Sequence, residues 1–182
     1  VLDLACGTGT LATMIGTRVR GVRLSGLDAD PQVLAIAEHK SRTAGLVARF
    51  DQGYSNHLLY PDESFDRIVS SLFFHHLSLL EKLATAREAF RVLRPAGELH
   101  VADWGRAENW LMRALFVPVQ LLDGYANTRN NVSGGLPAVF ADAGFADVRQ
   151  TQTFATMFGS LALYRAVKSP IESSRHWTMS AQ

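Results

Sequence analysis

The stretch Val1–Ala12, VLDLACGTGTLA, decides the fold of this chain. Four of its first five residues are apolar and suit a buried strand, a glycine-rich turn follows, and a helix opens at Leu11. Glycine allows a sharp turn and a close approach of a ligand to the backbone, and the start of a helix offers unpaired N–H donors. The stretch therefore predicts a seat for a nucleotide cofactor.

Strand-like and helix-like segments alternate beyond this stretch. Further strands are predicted at 22–28, 46–51, 65–71 and 98–104. Helices are predicted between most of them, and the clearest shows one apolar face made by Leu79, Leu83, Ala86, Phe90 and Leu93. This alternation predicts an α/β fold, a doubly wound and mostly parallel sheet with helices on both faces. Ligands in such sheets bind beyond the carboxyl ends of the strands.

The last third of the chain is less regular. Residues 108–122 predict an apolar helix that is broken near Pro118. Residues 124–133 are polar and predict a loop, and residues 135–143 predict a short helix.

Two strand-like runs close the fold. Residues 147–154 and 158–167 are joined by a short link and predict an antiparallel hairpin. We therefore expect one domain over residues 1–168, followed by a loose polar C-terminal tail over residues 169–182.

Composition restricts the classes of function. The 182 residues are 47% hydrophobic, which suits one domain with a sizeable core. The 18 Lys and Arg nearly balance the 17 Asp and Glu, so nucleic acid is not an expected partner. One cysteine and no zinc-like spacing predict a metal-free, cytoplasmic protein. The most apolar stretch, 110–122, falls short of the roughly 20 residues that a membrane span needs.

Four stretches, in order, resemble the class I S-adenosylmethionine-dependent methyltransferases, closest to the ubiquinone/menaquinone-biosynthesis type and its small-molecule relatives. They are DLACGTG (3–9), GLDAD (26–30), PDESFDRIVSSLFFHHL (61–77) and FRVLRPAGELHVADW (90–104). The resemblance implies a Rossmann-like, seven-stranded sheet with an antiparallel last strand. It also implies transfer of a methyl group from S-adenosyl-L-methionine to a small molecule by direct in-line displacement. Sequence upstream of Val1 would form a helical cover over the cofactor, and an opening on a core strand suggests lost upstream sequence.

The glycine turn by itself is compatible with two classes of cofactor. Gly7, Gly9 and Ala12, with an acid about 20 residues on, also fit the dinucleotide fingerprint of an NAD(P)-binding oxidoreductase. Asp3 favours S-adenosylmethionine, because a carboxylate would repel a pyrophosphate and attract an ammonium and a sulfonium. A methyltransferase-like domain that binds this donor without catalysis is a second alternative.

The expected donor site is formed at the carboxyl ends of the strands. Asp28 is predicted to accept hydrogen bonds from both ribose hydroxyls, because Asp30, directly before Pro31, is the better helix cap. Ser70 and Ser71 would leave room beside the sulfonium. The full set is Asp3, Ala5, Cys6, Gly7, Gly9, Asp28, Ala29, Gly53, Tyr54, Ser70 and Ser71.

Two positions of that set depart from simple expectations. Where this chain has Tyr54, the family places an acid that accepts a hydrogen bond from the adenine amino group. The ring of Tyr54 could stack on adenine, or its hydroxyl could replace the acid. Alternatively, Tyr54 packs against its neighbours as an ordinary loop tyrosine. Cys6 lies in the cofactor turn without a histidine near it in sequence, so we do not expect it to be a nucleophile.

The expected catalytic residues are His76, His75 and Asp103. In related enzymes the histidine pair borders the acceptor pocket, where an imidazole could remove a proton, and His76 is slightly favoured. Asp103 could orient a histidine or the acceptor. The alternatives are a histidine that satisfies backbone groups at a helix start and an aspartate that caps a turn.

The acceptor is expected to be a small molecule. Trp110, Phe116 and Tyr125 follow the fifth strand, where this family often forms an acceptor lid, and they would suit an apolar or aromatic molecule. The Asn/Asp-Pro-Pro-Tyr loop of base- and amide-nitrogen methylation is absent, which weighs against an RNA or protein substrate. A homodimer is left open.

Overall fold

The computed structural model describes residues 1–170, except for the side chains of Val119, Leu122, Asp123, Tyr125 and Ala126. Most of the predicted tail, residues 171–182, lies outside the described residues. The strands are β1 (Leu2–Leu4), β2 (Leu24–Asp28), β3 (Ala48–Gln52), β4 (Phe65–Ser71), β5 (Leu93–Trp104), β6 (Ala146–Thr156) and β7 (Gly159–Val167). The α-helices are α1 (Thr10–Arg18), α2 (Pro31–Thr43), α3 (Leu79–Val92), α4 (Trp110–Leu115), α5 (Val117–Asp123), α6 (Tyr125–Val132) and α7 (Leu136–Asp142).

The seven strands form one sheet in the order β3-β2-β1-β4-β5-β7-β6. Strands β1 to β5 pair in parallel, and β7 runs antiparallel to both of its neighbours, β5 and β6. The predicted sheet and its antiparallel last strand are confirmed. The strand order reverses between β1 and β4, and this switch point is where a doubly wound sheet opens a crevice at its carboxyl edge.

Strand β1 lies at the centre of the molecule. Its three residues, Leu2, Asp3 and Leu4, are all buried. Successive side chains of a strand point to opposite faces, so both faces of the sheet are covered at this position. Asp3 pairs with Gly26 of β2 on one side and Val69 of β4 on the other, which fixes its carboxylate at the heart of the fold.

Local signals set several helix boundaries as predicted. The Asp30 carboxylate accepts a hydrogen bond from the Gln32 amide at 2.8 Å, and Pro31 is the first residue of α2. The apolar segment after β5 is interrupted at Phe116, and Pro118 lies in the first turn of α5. Within residues 1–170, no helix is both long and apolar enough to cross a bilayer.

The loop predicted at 124–133 is wrong, because the structure has α6 there. Among its described side chains Thr128, Asn131 and Val132 are buried, so one apolar residue at its end stands in place of an apolar stripe. Hydrogen bonds to distant parts of the chain replace the apolar contacts that helical periodicity would have revealed. Strand β5 also begins earlier than predicted, at Leu93, with a register shift against β4 before Glu98.

A first prediction concerns the glycine turn. Gly9 has φ +69°, and a Cβ there would lie 2.7 Å from the Ala37 Cβ of α2. Gly9→Ala therefore combines left-handed strain with overpacking, and we expect it to lower the free energy of unfolding by about 3 kcal/mol in urea. Gly21→Ala is the matched control, because Gly21 has φ +72° and open space around it, and strain alone predicts about 1 kcal/mol. Equal losses would contradict the packing role of Gly9.

Candidate active site

A cleft with a volume of about 230 Å³ lies at the carboxyl ends of β1, β2 and β3. Five residues of the predicted donor site line it, namely Ala5, Asp28, Ala29, Gly53 and Tyr54. Its other lining residues were not predicted from the sequence: Leu27, Ser55, Asn56, Phe73, Leu77 and Glu81. Most of these come from the start of α3, the turn before it and the loop after β3, which only the tertiary fold brings together.

Asp28 joins the end of β2 to the glycine turn. One carboxylate oxygen accepts a hydrogen bond from the Gly7 amide at 2.8 Å, and the other accepts one from the Asp30 amide at 3.1 Å. Both oxygens are thereby oriented at the cleft wall. A carboxylate offers about four acceptor positions, so Asp28 retains capacity for the hydroxyls of a ligand.

Asp3 lies behind the turn and does not line the cleft. Its side chain is 1% exposed, and its carboxylate accepts a hydrogen bond from the Ala12 amide in the first turn of α1 at 2.9 Å. Burial raises the pKa of Asp3 to about 7 against the opposing bond from Ala12, and the Asp28 carboxylate adds to the rise. A cation bound beside the turn would favour the ionised form.

The glycine turn itself is built from left-handed backbone. Ala5, Gly7 and Gly9 have φ of +57°, +51° and +69°. The Lys40 ammonium, from α2, donates to the Thr8 hydroxyl at 3.1 Å and to Thr10 at 2.8 Å, and so holds both sides of Gly9.

Cys6 is buried within this turn. Burial, with the Asp3 and Asp28 carboxylates, raises the pKa of its thiol to about 12. The group therefore remains a thiol at neutral pH, which agrees with the expectation that it is not a nucleophile.

Ser70 and Ser71, predicted to lie beside the sulfonium, do not line the cleft. The Ser70 hydroxyl is buried and donates to the Leu4 carbonyl at 2.9 Å, which ties β4 to β1. Ser71 ends β4 and is exposed. Tyr54 does line the cleft and is 71% exposed, so its ring lies at the rim and not in the core.

Asp103 is a buried hub at the end of β5. One of its oxygens pairs with the His75 Nδ1 at 2.7 Å and accepts hydrogen bonds from the Trp104 amide and the Asn131 side chain. The other accepts from the backbone amides of Phe73 and His75. Because a carboxylate can only accept, His75 donates to Asp103 from Nδ1.

The two histidines are placed differently. They lie on a single 3₁₀ turn, Phe74–His76, where His75 is buried and His76 is exposed. Their ring centroids are 4.0 Å apart. The structure thus brings Asp103 and His75 together and leaves His76 as the more accessible ring.

The predicted lid residues are also divided. Trp110 is 80% exposed, whereas Phe116 is 3% exposed and packs against Trp104, with ring centroids 5.3 Å apart. Phe116 is therefore a core residue. The side chain of Tyr125 lies outside the described residues.

These features define a class of protein. A glycine turn leads from a central parallel strand into a helix, and an acid at the end of the next strand faces a cleft at the sheet's carboxyl edge. That combination is typical of Rossmann-like domains that bind an adenosine-containing ligand. In the described part of the chain, no group of three His, Cys, Asp or Glu side chains is arranged to hold a metal ion.

Comparison with known proteins identifies the family. The family described as "Methyltransferase domain" matches residues 1–97, more than half of the chain. The chain belongs to this family. It is 38% identical over 104 residues to the demethylmenaquinone methyltransferase of Thermus thermophilus, an overlap that covers 57% of this chain and 46% of the relative.

Two further comparisons agree. The ubiquinone/menaquinone biosynthesis C-methyltransferase UbiE of Xanthomonas campestris is 36% identical over 115 residues, covering 57% of this chain and 44% of the relative. A SAM-dependent methyltransferase structure from Methanosarcina mazei superimposes with a TM-score of 0.73 at 22% identity, covering 93% of this chain and 92% of that one. The chain thus spans about half the length of these curated relatives, and the structural match supports the same fold.

A second prediction follows from the raised pKa of Asp3. Because its folded pKa, about 7, exceeds the ordinary value of 3.8, the folded state binds more protons between these values, and stability falls as pH rises through this window. Asp3→Asn removes the buried charge and keeps an acceptor for Ala12. We expect the variant to be more stable than wild type at pH 8 by about 2–4 kcal/mol.

The measurement is urea unfolding at pH 5 and pH 8. The difference in the free energy of unfolding between Asp3→Asn and wild type should narrow at pH 5, where Asp3 is largely protonated in the folded state. The exposed cap variant Asp30→Asn is the control and should show no such gain. A gap of the same size at both pH values would contradict the assignment to Asp3.

Proposed function

We propose that this chain is the donor-binding and catalytic domain of an S-adenosylmethionine-dependent methyltransferase that acts on a small molecule. The observation that carries the proposal is the charge of the cleft. Asp28 and Glu81 line it, Asp3 is buried behind its glycine turn, and none of its described lining residues is a lysine or arginine. This distribution suits a ligand with a sugar, an ammonium and a sulfonium.

The same observation weighs against a nicotinamide dinucleotide. A pyrophosphate carries two negative charges and is usually met by backbone donors away from carboxylates. Asp28 suits a ribose in either ligand, but Asp3 behind the glycine turn and Glu81 in the cleft would both repel a pyrophosphate. The oxidoreductase alternative therefore has less physical support than the methyltransferase.

Several residues of the cleft and of the glycine turn have a proposed task. Asp28 accepts hydrogen bonds from the ribose hydroxyls, and Gly53 and Tyr54 border the adenine. The turn around Gly7 supplies backbone donors, while Asp3 provides negative charge behind it. The donor brings a methyl group already activated on sulfur, so the chain has to align the two reactants, exclude water and accept a proton.

We further propose a quinol-like acceptor that is methylated on carbon. Support comes from the names of the relatives, which are a demethylmenaquinone methyltransferase and a C-methyltransferase. His76 would receive the proton, and His75, held by Asp103, would fix the turn that carries it. A cytoplasmic location and a homodimer stay predictions.

A third prediction tests the donor site. Asp28→Ala should weaken the binding of S-adenosylmethionine by roughly 10- to 100-fold in calorimetry, because charge-assisted hydrogen bonds contribute about 1.5–3 kcal/mol. Asp30→Ala is the matched control, since it removes a helix cap worth about 1 kcal/mol without facing the cleft. Equal affinities for the two variants, or tighter binding of NAD than of S-adenosylmethionine, would overturn the proposal.

A fourth prediction tests the acceptor side, on the natural protein that contains this chain. Demethylmenaquinone and methyl-labelled S-adenosylmethionine should give a labelled quinone. His76→Ala should lower kcat by about 100-fold or more with an unchanged donor Kd, because a general base contributes that much. His39→Ala, on α2 away from the cleft, should leave kcat unchanged.

Other outcomes of this assay distinguish the methyltransferase from a domain that only binds the donor. Donor binding without transfer to demethylmenaquinone or to a panel of other small molecules would favour the binding-only domain. An unchanged kcat in His76→Ala would remove His76 from the mechanism and leave the donor site intact.

A further inference from the structure

The buried lysine of α3 has no task in the site described above. Lys82 is 0% exposed, and its ammonium donates to the carbonyl oxygen of Asn127, in α6, at 2.5 Å. Burial lowers the pKa of Lys82 to about 8, and the Asp103 carboxylate opposes that shift. A buried ammonium whose hydrogen-bond acceptor is a neutral carbonyl is expensive, and an apolar side chain of equal length would fold at a lower cost.

The residue that Lys82 holds also contacts the histidine turn. The Asn127 side-chain amide donates to the His76 carbonyl at 2.9 Å. Lys82 therefore reaches the turn through one residue of α6, by way of two consecutive hydrogen bonds.

A second contact with the histidine turn comes from the next turn of α6. Asn131 follows Asn127 by four residues, so both lie on one face of α6. Its side-chain amide donates to Asp103 at 3.2 Å, and Asp103 pairs with His75 at 2.7 Å. One helix face thus fixes the backbone of His76 and the ring of His75.

These contacts carry much of the attachment of α6. Among its described side chains α6 buries Thr128, Asn131 and Val132, of which only Val132, at its last position, is apolar, and Thr128 bonds to Gln120 of the neighbouring α5. A helix held by few directed bonds loses its position when one bond is removed, whereas a helix held by an apolar stripe does not.

We propose that Lys82 is a positioning residue for methyl transfer, which holds α6 against the histidine turn through Asn127. The inference rests on the proposed function. Its physical basis is that small displacements of a reacting group are costly, since a shift of about 1 Å lowers a rate by as much as 100-fold. Lys82 neither lines the cleft nor touches a reacting atom, so it would act only through the position of the histidine turn.

The test compares Lys82→Met with Arg87→Met in the natural protein that contains this chain. Both variants remove one positive charge from α3, but Arg87 is exposed. We expect Lys82→Met to keep or raise the melting temperature, to lower kcat at least 10-fold and to change the Kd for S-adenosylmethionine by a much smaller factor. Arg87→Met should change none of these quantities. A purely structural lysine would instead lower the melting temperature along with kcat, and that result would overturn the proposal.

Asn127→Ala provides a second, independent variant should Lys82→Met fold poorly. It removes the bond to His76 but keeps the backbone carbonyl that Lys82 holds. We expect a similar loss of kcat, and the double variant should lose no more than either single one, because both residues act in one chain of contacts. Additive losses would overturn the proposal.

Hydrogen exchange separates this inference from the proposed function. Lys82→Met should speed amide exchange in α6 and in the turn 74–76, and Arg87→Met should not. If the wild-type protein transfers no methyl group but Lys82→Met still speeds exchange in these segments, the proposed function fails and the link through Asn127 stands. If wild type is active and Lys82→Met alters neither exchange nor kcat, the positioning role fails alone.

Discussion

The hydrogen bond from the Gly7 amide to the Asp28 carboxylate, 2.8 Å long, is the contact on which the candidate site depends. It crosses from the turn after β1 to the end of β2, and a backbone bond from the Cys6 amide to the Leu27 carbonyl reinforces it at 3.0 Å. The turn can follow this path because its backbone enters the left-handed region at Ala5, Gly7 and Gly9. Without that path, neither the cleft wall nor the start of α1 would have its present position.

The same device recurs along the carboxyl edge of the sheet. Asp3 accepts from the first turn of α1, Asp28 from the glycine turn, and Asp103 from the turn that carries the histidines. In each case a strand-borne carboxylate organises backbone N–H groups that a connecting segment would otherwise leave unpaired. The edge is therefore rigid and rich in carboxylates, which suits the cationic ligand proposed above better than a phosphate.

The donor and acceptor halves of this edge are built differently. The proposed donor half is formed by the turns after β1, β2 and β3, and Phe73, Leu77 and Glu81 complete its cleft from the other side. The acceptor half is assembled from β4, β5, α3 and α6, with the histidine turn between them. The family match covers residues 1–97, which include the whole of the proposed donor half and also β4, the histidine turn and α3 of the acceptor half.

Sequence alone determined the parts of the molecule whose signals are local. The alternation of strands and helices predicted the sheet, Asp30 and Pro31 predicted the start of α2, and Pro118 predicted the break after β5, because each depends on neighbouring residues. Asp28 was assigned to the cleft for a similar reason, since it ends a strand and is not needed as a helix cap.

Only the tertiary structure decided the rest. It placed Glu81 and Leu77 in the cleft, turned Ser70 toward Leu4 and made a helix of the polar segment 125–132. The bonds that hold this segment join residues 28, 45 and 51 positions apart in the chain. Burial of these polar side chains is favourable only because they form hydrogen bonds with distant partners, and those partners cannot be identified from a local sequence pattern.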